Sequence, residues 1–289
     1  MKRIVTGLAL AAAATLITTA PAHATAAKDP AAAVKKQYVA GKGVSFTERT
    51  TIFQGRQRQV FVRRNGTFQF GASGITASDI TGKFNIKASD LGEDADSEVG
   101  KMMRTPERVI TVGNATYLSG SLWASAVPEG KTWYKAPSKY FGGLMGVYGQ
   151  PLNIVGEPAT LKTLLKGAKP AAGGYTGKIT VGELRKLSRS ARANFILAEA
   201  KGKQLKAVIS WKLAVDAKGL PTRLTTVLPG KVLSAQAPKD AGFSVETSLT
   251  GWGSTVKITA PPADTVATDL KDGQEPPTSM TIPLGSIAQ

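Results

Sequence analysis

From Ala207 to Val215 the odd positions carry Ala207, Ile209, Trp211, Leu213 and Val215, while Ser210 and Lys212 stand between them. Side chains of a strand point to opposite faces in turn, so this period of two describes a strand with one face in a core and one in water. Asp216 to Gly219 reads as a turn, with Asp first and Gly where positive φ is tolerated. Leu220, Leu224 and Leu228 then share one face of a return strand, and Pro221 sits near its start, where a missing N–H does no harm. Phe243, Val245, Thr247 and Leu249 alternate in a third strand. Gly251-Trp252-Gly253 predicts a corner, and Val256, Ile258 and Ala260 predict a fourth strand before Pro261-Pro262. An antiparallel meander of this kind commits the chain to a sheet-based fold.

The N-terminal half extends the pattern. Asp29 to Tyr38 starts with an Asp cap and a proline in the first turn, which predicts a helix over 29–39 that ends at Gly41 and Gly43. Val44 to Ile52 and Arg58 to Arg64 read as strands split by Gln54-Gly55, with Asn65-Gly66 as a hairpin turn. Further strands are expected at 84–88, 99–104, 108–112, 115–119 and 132–135, with a turn at Gly113-Asn114. The middle third changes period. Helices are predicted over 136–149, 158–166 and 181–201, the last because Leu184, Leu187, Ala191, Phe195 and Ala198 recur every three or four residues.

The only histidine is His23, and there is no cysteine. Residues 1–24 read as a secretory signal peptide: Lys2 and Arg3, an apolar run from Ile4 to Ala20, the breaker Pro21, and the small-x-small site Ala22-His23-Ala24. A retained anchor is the competing reading, but the run is short and rich in threonine for a span, and no second apolar run follows. The mature chain would therefore lack imidazole and thiol, which removes Ser-His and Cys-His nucleophiles, the usual zinc ligands and thiol redox motifs. Glu93-Asp94-Ala95-Asp96-Ser97-Glu98 lacks the ligand order of a calcium loop, and one run cannot put two carboxylates across a cleft as a glycosidase requires. It is expected to be a solvated loop. No cofactor and no metal is expected.

Taking Lys2 and Arg3 from 37 basic residues leaves 35 against 20 acidic ones, a net +15 for the mature chain. Such an excess favours anionic partners, here a cell-wall polymer or lipid headgroups. No motif for specific nucleic-acid recognition organises the charge.

Three runs then become familiar: Tyr175 to Leu184 (YTGKITVGEL), Trp211 to Leu224 (WKLAVDAKGLPTRL) and Thr250 to Asp264 (TGWGSTVKITAPPAD). With Val44-Ser-Phe-Thr47 and Thr116-Tyr-Leu118, they resemble the LppX/LprG-type lipoproteins of actinobacterial cell envelopes, a LolA-like family, over most of residues 30–268. The resemblance implies an α+β fold: one strongly curved antiparallel sheet, an incomplete barrel, with helices covering its concave face and a hydrophobic cavity for acyl chains between them. It implies a non-enzymatic carrier or chaperone of a lipid, glycolipid or lipidated partner. On that reading the cavity is lined by Trp211, Leu213 and Leu224 from the sheet and Leu144, Met145, Leu161, Leu164 and Leu187 from the helices. Two features depart from the family. There is no cysteine to carry a lipid anchor, and Gly167 to Gly174 is short for the extra hairpin the family often has there.

The expected organisation is a signal peptide at 1–24, one half-barrel domain at 25–268 and a polar, Pro-rich disordered tail at 269–289. The protein should be secreted, in the medium or loosely held at the wall. The alternative function keeps the fold but fills the core: a structural or interaction protein of the envelope, held by its charge without a bound lipid.

Overall fold

The structure of the protein is a computed structural model that describes residues 29–137, 144–232, 234 and 236–273. Its centre is one sheet of 12 strands: β1 (Lys42–Gln54), β2 (Gln57–Gly71), β3 (Gly74–Phe84), β4 (Glu107–Val112), β5 (Ala115–Gly120), β6 (Trp133–Ala136), β7 (Lys169–Ala171), β8 (Gly174–Thr180), β9 (Val208–Val215), β10 (Pro221–Pro229), β11 (Ala241–Thr255) and β12 (Val266–Ala267). The spatial order is β12-β6-β5-β4-β3-β2-β1-β11-β10-β9-β8-β7. All pairs are antiparallel except β12 with β6. Two runs of sequential neighbours, β6 back to β1 and β11 back to β7, are joined where β1 pairs with β11. The sheet is curved and does not close, since β12 and β7 stay apart at its ends.

Helices lie on the concave face: α1 (Pro30–Lys36), α2 (Ala88–Leu91), α3 (Glu98–Arg104), α4 (Trp123–Ala126), α5 (Pro158–Lys166), α6 (Val181–Leu187), α7 (Arg189–Ala193) and α8 (Phe195–Ala198). Asp29 caps α1, accepting from the N–H groups of Ala31 and Ala32 at 3.0 and 3.2 Å. Thr180 and Glu183 form a reciprocal box at the start of α6, which satisfies two N–H groups that the helix cannot. The expected α+β architecture, the meander of β9, β10 and β11, and the helices at α1 and α5 agree with the sequence reading.

Several local expectations are corrected. Asn65-Gly66 is no hairpin. Both residues lie inside β2, opposite Thr81 and Ile80 of β3, and the chain reverses at Ala72-Ser73 instead. The glycine answers to packing: a Cβ at Gly66 would lie 2.6 Å from the Asp79 carbonyl and 2.9 Å from the Phe46 ring. Residues 99–104 form α3 and not a strand, because the Ser97 hydroxyl accepts from the Gly100 N–H and starts a helix there. The strand expected at 84–88 is only the end of β3, and 88–91 is helical. Of Glu93 to Glu98, expected as a solvated loop, 93–96 belong to a short 3-10 turn (Gly92–Asp96) and Glu98 opens α3.

The single helix expected over 181–201 is three pieces. Ser188 and Asn194 adopt extended backbone, and each restarts a helix by accepting from the N–H three residues on, Ala191 at 3.0 Å and Leu197 at 3.1 Å. Of the helix expected over 136–149, Ala136 ends β6 and 144–148 is a 3-10 turn, while 138–143 lie outside the described residues.

Gly251-Trp252-Gly253 is not a corner. Positive φ at both glycines (68° and 79°) makes a bulge inside β11, and the β1 register slips there, from Gly43 opposite Ser254 to Ser45 opposite Thr250. The expected fourth strand at 256–260 is irregular. Its Ile258 N–H donates to the Gln69 side chain on β2, and the chain goes on to bond Thr132 through the Thr265 carbonyl before forming β12. This strap crosses the outer sheet face, where Ala77 and Ile110 are buried.

Candidate ligand site between the sheet and its cover

On the concave face the inward residues are apolar because the period of two sends every second side chain the same way. Ile209, Trp211 and Leu213 of β9, Leu224 and Leu228 of β10, Phe243 and Leu249 of β11, and Phe46 of β1 are all buried in one cluster. From the other side α5 contributes Leu161 and Leu164, α6 contributes Val181 and Leu184, α8 contributes Leu197, and Leu152 and Ile154 fill a connection.

Of the residues expected to line a cavity, Trp211, Leu213, Leu224, Leu161 and Leu164 are thus brought together, as packed core. Leu187 is not among them. It is 42% exposed, because the chain turns at Ser188 and leaves this last α6 side chain outside. The side chains of Leu144 and Met145 lie outside the described residues. The Trp211 indole lies against Gly177, where a Cβ would come within 2.4 Å of the ring, and its Nε1 is buried with no hydrogen-bond partner among the described residues.

A cleft opens at the seam between residues 147–151 and the start of α8, over β10, β11 and β1. Val147, Ile196, Leu197, Leu228, Phe243 and Val245 give it an apolar lining, with Thr50 and Asn194 at polar points. Its volume is about 20 Å³, room for about one water molecule.

Beside the cleft lies a polar group that the sequence reading missed. Glu48 of β1 points inward, its side chain 3% exposed, and accepts from Arg64 Nη1 at 2.6 Å, with the Arg64 side chain 12% exposed. The other Glu48 oxygen accepts from the Thr247 hydroxyl at 2.8 Å and the Gln150 N–H at 3.3 Å. Gln150 Nε2 donates to Thr247, and Gln150 Oε1 accepts from Thr226. Thr50 donates to the Tyr148 carbonyl at 2.5 Å. Residues 148–150 are therefore pinned to the sheet by contacts with Glu48, Thr247, Thr226 and Thr50, and the Arg64–Glu48 ion pair inside the sheet holds the Glu48 carboxylate in place for its share. Gly149 is needed here, since a Cβ would fall 1.7 Å from Arg64 Nη1. A signal existed: Val44, Phe46, Glu48 and Thr50 are in phase, so an acid occupied a core position of a strand that was otherwise well read.

Tyr148 anchors the same segment from its other side, packing edge-on against Phe61 at 5.1 Å and Phe84 at 6.0 Å. Burial pushes its phenol from the ordinary 10.0 up to about 12. Tyr38, whose hydroxyl donates to the Val155 carbonyl at 2.6 Å, is likewise pushed up to about 12, first by burial and then by Glu157. A raised folded pKa means that the stability from keeping these phenols neutral is fully present below the unfolded value near 10 and is lost as pH rises through about 12. Urea midpoints taken from about pH 9 to about pH 11 should fall, and Tyr148→Phe should flatten the fall.

No protein-family profile and no curated protein matches the sequence. Among solved structures the chain is similar in fold to lipoprotein LppX of Mycobacterium tuberculosis, at 13% identity and a TM-score of 0.36, over 80% of this chain and 100% of that one. It is also similar to a LolA superfamily protein of Nitrosomonas europaea, at 8% identity and a TM-score of 0.30, over 82% of this chain and 94% of the other. A DUF1329 family protein of Desulfovibrio piger gives 12% identity and a TM-score of 0.32, over 77% and 90% of the two chains.

Proposed function

We propose that this chain is a secreted, non-enzymatic carrier or chaperone that holds an acyl chain of a lipid, glycolipid or lipidated partner between the concave sheet face and its helical cover. The observation that carries the reading is the seam: an apolar sheet face covered by interrupted short pieces, with an apolar cleft where two of them meet. One continuous helix would seal that face, whereas short segments held by a few polar bonds can separate from it locally. Asn194 Nδ2 reaches the Val147 carbonyl at only 3.4 Å across the seam.

The closed cleft of about 20 Å³ is far below the roughly 300 Å³ or more of ordinary ligand sites, so ligand entry requires the cover to move. Each buried methylene contributes about 0.8 kcal/mol, and a palmitoyl-length chain on the order of 10 kcal/mol before ordering costs, enough to offset a local opening. In this reading residues 1–24 are removed on export, 25–268 form the carrier and 269–289 are a tail. Leu270, buried against the Trp123 cluster, ties the start of that tail to the fold. No described helix is long and apolar enough to cross a membrane.

A second reading is favoured by a different observation, the filled core: an envelope interaction protein that binds no lipid. Lipid extraction and mass spectrometry of the exported protein, with fluorescent fatty-acid uptake, separate the two. The carrier is expected to yield co-purified lipid or saturable uptake approaching about one chain per protein. Neither lipid nor uptake leaves the second reading.

A further inference from the structure

The basic residues look scattered along the chain, but the sheet register lines some of them up. Arg49 of β1, Arg63 of β2 and Lys83 of β3 stand directly opposite one another on the outer, convex face. All three are exposed. The same row continues the other way through Glu246 of β11 and Thr225 of β10 to Lys212 of β9. At a strand spacing of about 4.8 Å, the row from Lys212 to Lys83 is about 24 Å long. The neighbouring row, Arg223-Ser248-Thr47-Asn65-Thr81-Arg108, has a cation at each end and hydroxyls and an amide between.

Like charges directly opposite on adjacent strands repel, and three in a line are unfavourable for the sheet alone. The nearby acids do not relieve them evenly. Glu246 is engaged by Arg49 at 3.2 Å and Asp79 by Arg108 at 2.7 Å, while neither Arg63 nor Lys83 forms a salt bridge among the described residues. Arg63 Nε donates only to the Asn85 amide oxygen.

We propose that this row is a docking track for a linear, phosphate-bearing polyanion. Cations spaced at strand intervals match the repeated charges of an extended chain, guanidinium groups grip phosphate oxygens in pairs, and the flanking threonines and Asn65 donate to remaining oxygens. A convex face meets a flat bilayer along a narrow strip, which disfavours a membrane as the occupant. No aromatic side chain stands along either row, and the Trp133 ring at the Arg108 end is already covered by that guanidinium at 5.6 Å, which disfavours a single-stranded nucleic acid. The track lies on the sheet face opposite the cleft, so the inference does not depend on the carrier reading.

The test titrates the exported full-length protein with long-chain inorganic polyphosphate, with phosphatidylglycerol vesicles and with oligothymidine, at several salt concentrations. R49Q/R63Q/K83Q is compared with K162Q/K166Q/K218Q, which removes equal charge from exposed lysines outside the track. The track variant is expected to lose at least about tenfold in polyphosphate affinity and to lower the log–log salt slope by about 2 to 3, against about threefold or less for the control. Fatty-acid uptake is expected to be unchanged by the track variant, and lysine 83 alone, as K83Q, keeps the test valid if the triple variant folds poorly. Equal losses in both triples would assign the binding to diffuse net charge and overturn the proposal. So would tighter binding to vesicles or to oligothymidine than to polyphosphate, or no binding by the wild type.

Discussion

Arg64→Ala is expected to cost about 3–5 kcal/mol of unfolding free energy, read as a large drop in the urea midpoint at unchanged slope. The reason is what it leaves behind. The Glu48 carboxyl would be left inside the sheet-to-cover core without its cation, with only the Thr247 hydroxyl and the Gln150 N–H as partners. Removing one member of a buried pair exposes the desolvation that the pair had offset, so the loss exceeds the value of the contact itself. The paired variant Glu48→Leu with Arg64→Met, of similar volume, should recover most of that stability, because both charges go together. A single-variant loss below about 1 kcal/mol would instead mean that the pair behaves like a solvated surface pair, and the reading of it as a buried pair would fail.

Phe243→Ala carries the other large effect and separates stability from function. Phe243 is 7% exposed, lines the cleft and belongs to the main core cluster. Truncating a buried phenylalanine costs about 3–5 kcal/mol, part of it for the space left behind. That space adds directly to the cleft. If the cleft admits acyl chains, the variant, assayed below its melting temperature, should take up a fluorescent fatty acid more readily than the wild type while unfolding at lower urea. Lower stability with uptake no greater than that of the wild type points to a core position and no more, and weakens the carrier reading at this cleft.

How much of this was legible depended on the range of the physics. The meander β9-β10-β11 could be read because the alternation at 207–215 and 243–249 is local, and because Asp216-Ala-Lys-Gly219 supplies its own turn. The cap at Asp29 and the helical leucine spacing of α5 are local too. The errors fell where a residue answers to a distant partner. Gly66 reads as a turn residue until the Phe46 ring and the Asp79 carbonyl are seen against it, and Gly251 and Gly253 read as a corner until β1 runs alongside and makes them a bulge. Helical spacing carried through Ser188 and Asn194 because their side chains can serve helix interiors or caps, and only the packing against α5 and residues 147–157 selects caps.

The chain by itself determined half-buried strands, the antiparallel meander of its last third and the helices at α1 and α5, since hydrophobic period and turn chemistry act within a few residues of their cause. Tertiary structure alone decided that β1 pairs with β11, and most of the functional features follow from that single pairing. It brings Glu48 to Thr247 across 199 positions of sequence, sets Arg49 beside Glu246 at one step of the basic row, and aligns Thr50 with Val245 under the cleft. Pairing between the two ends of a chain carries a loop-closure cost that depends on the whole length and a reward that depends on both strands at once, so no local pattern encodes it.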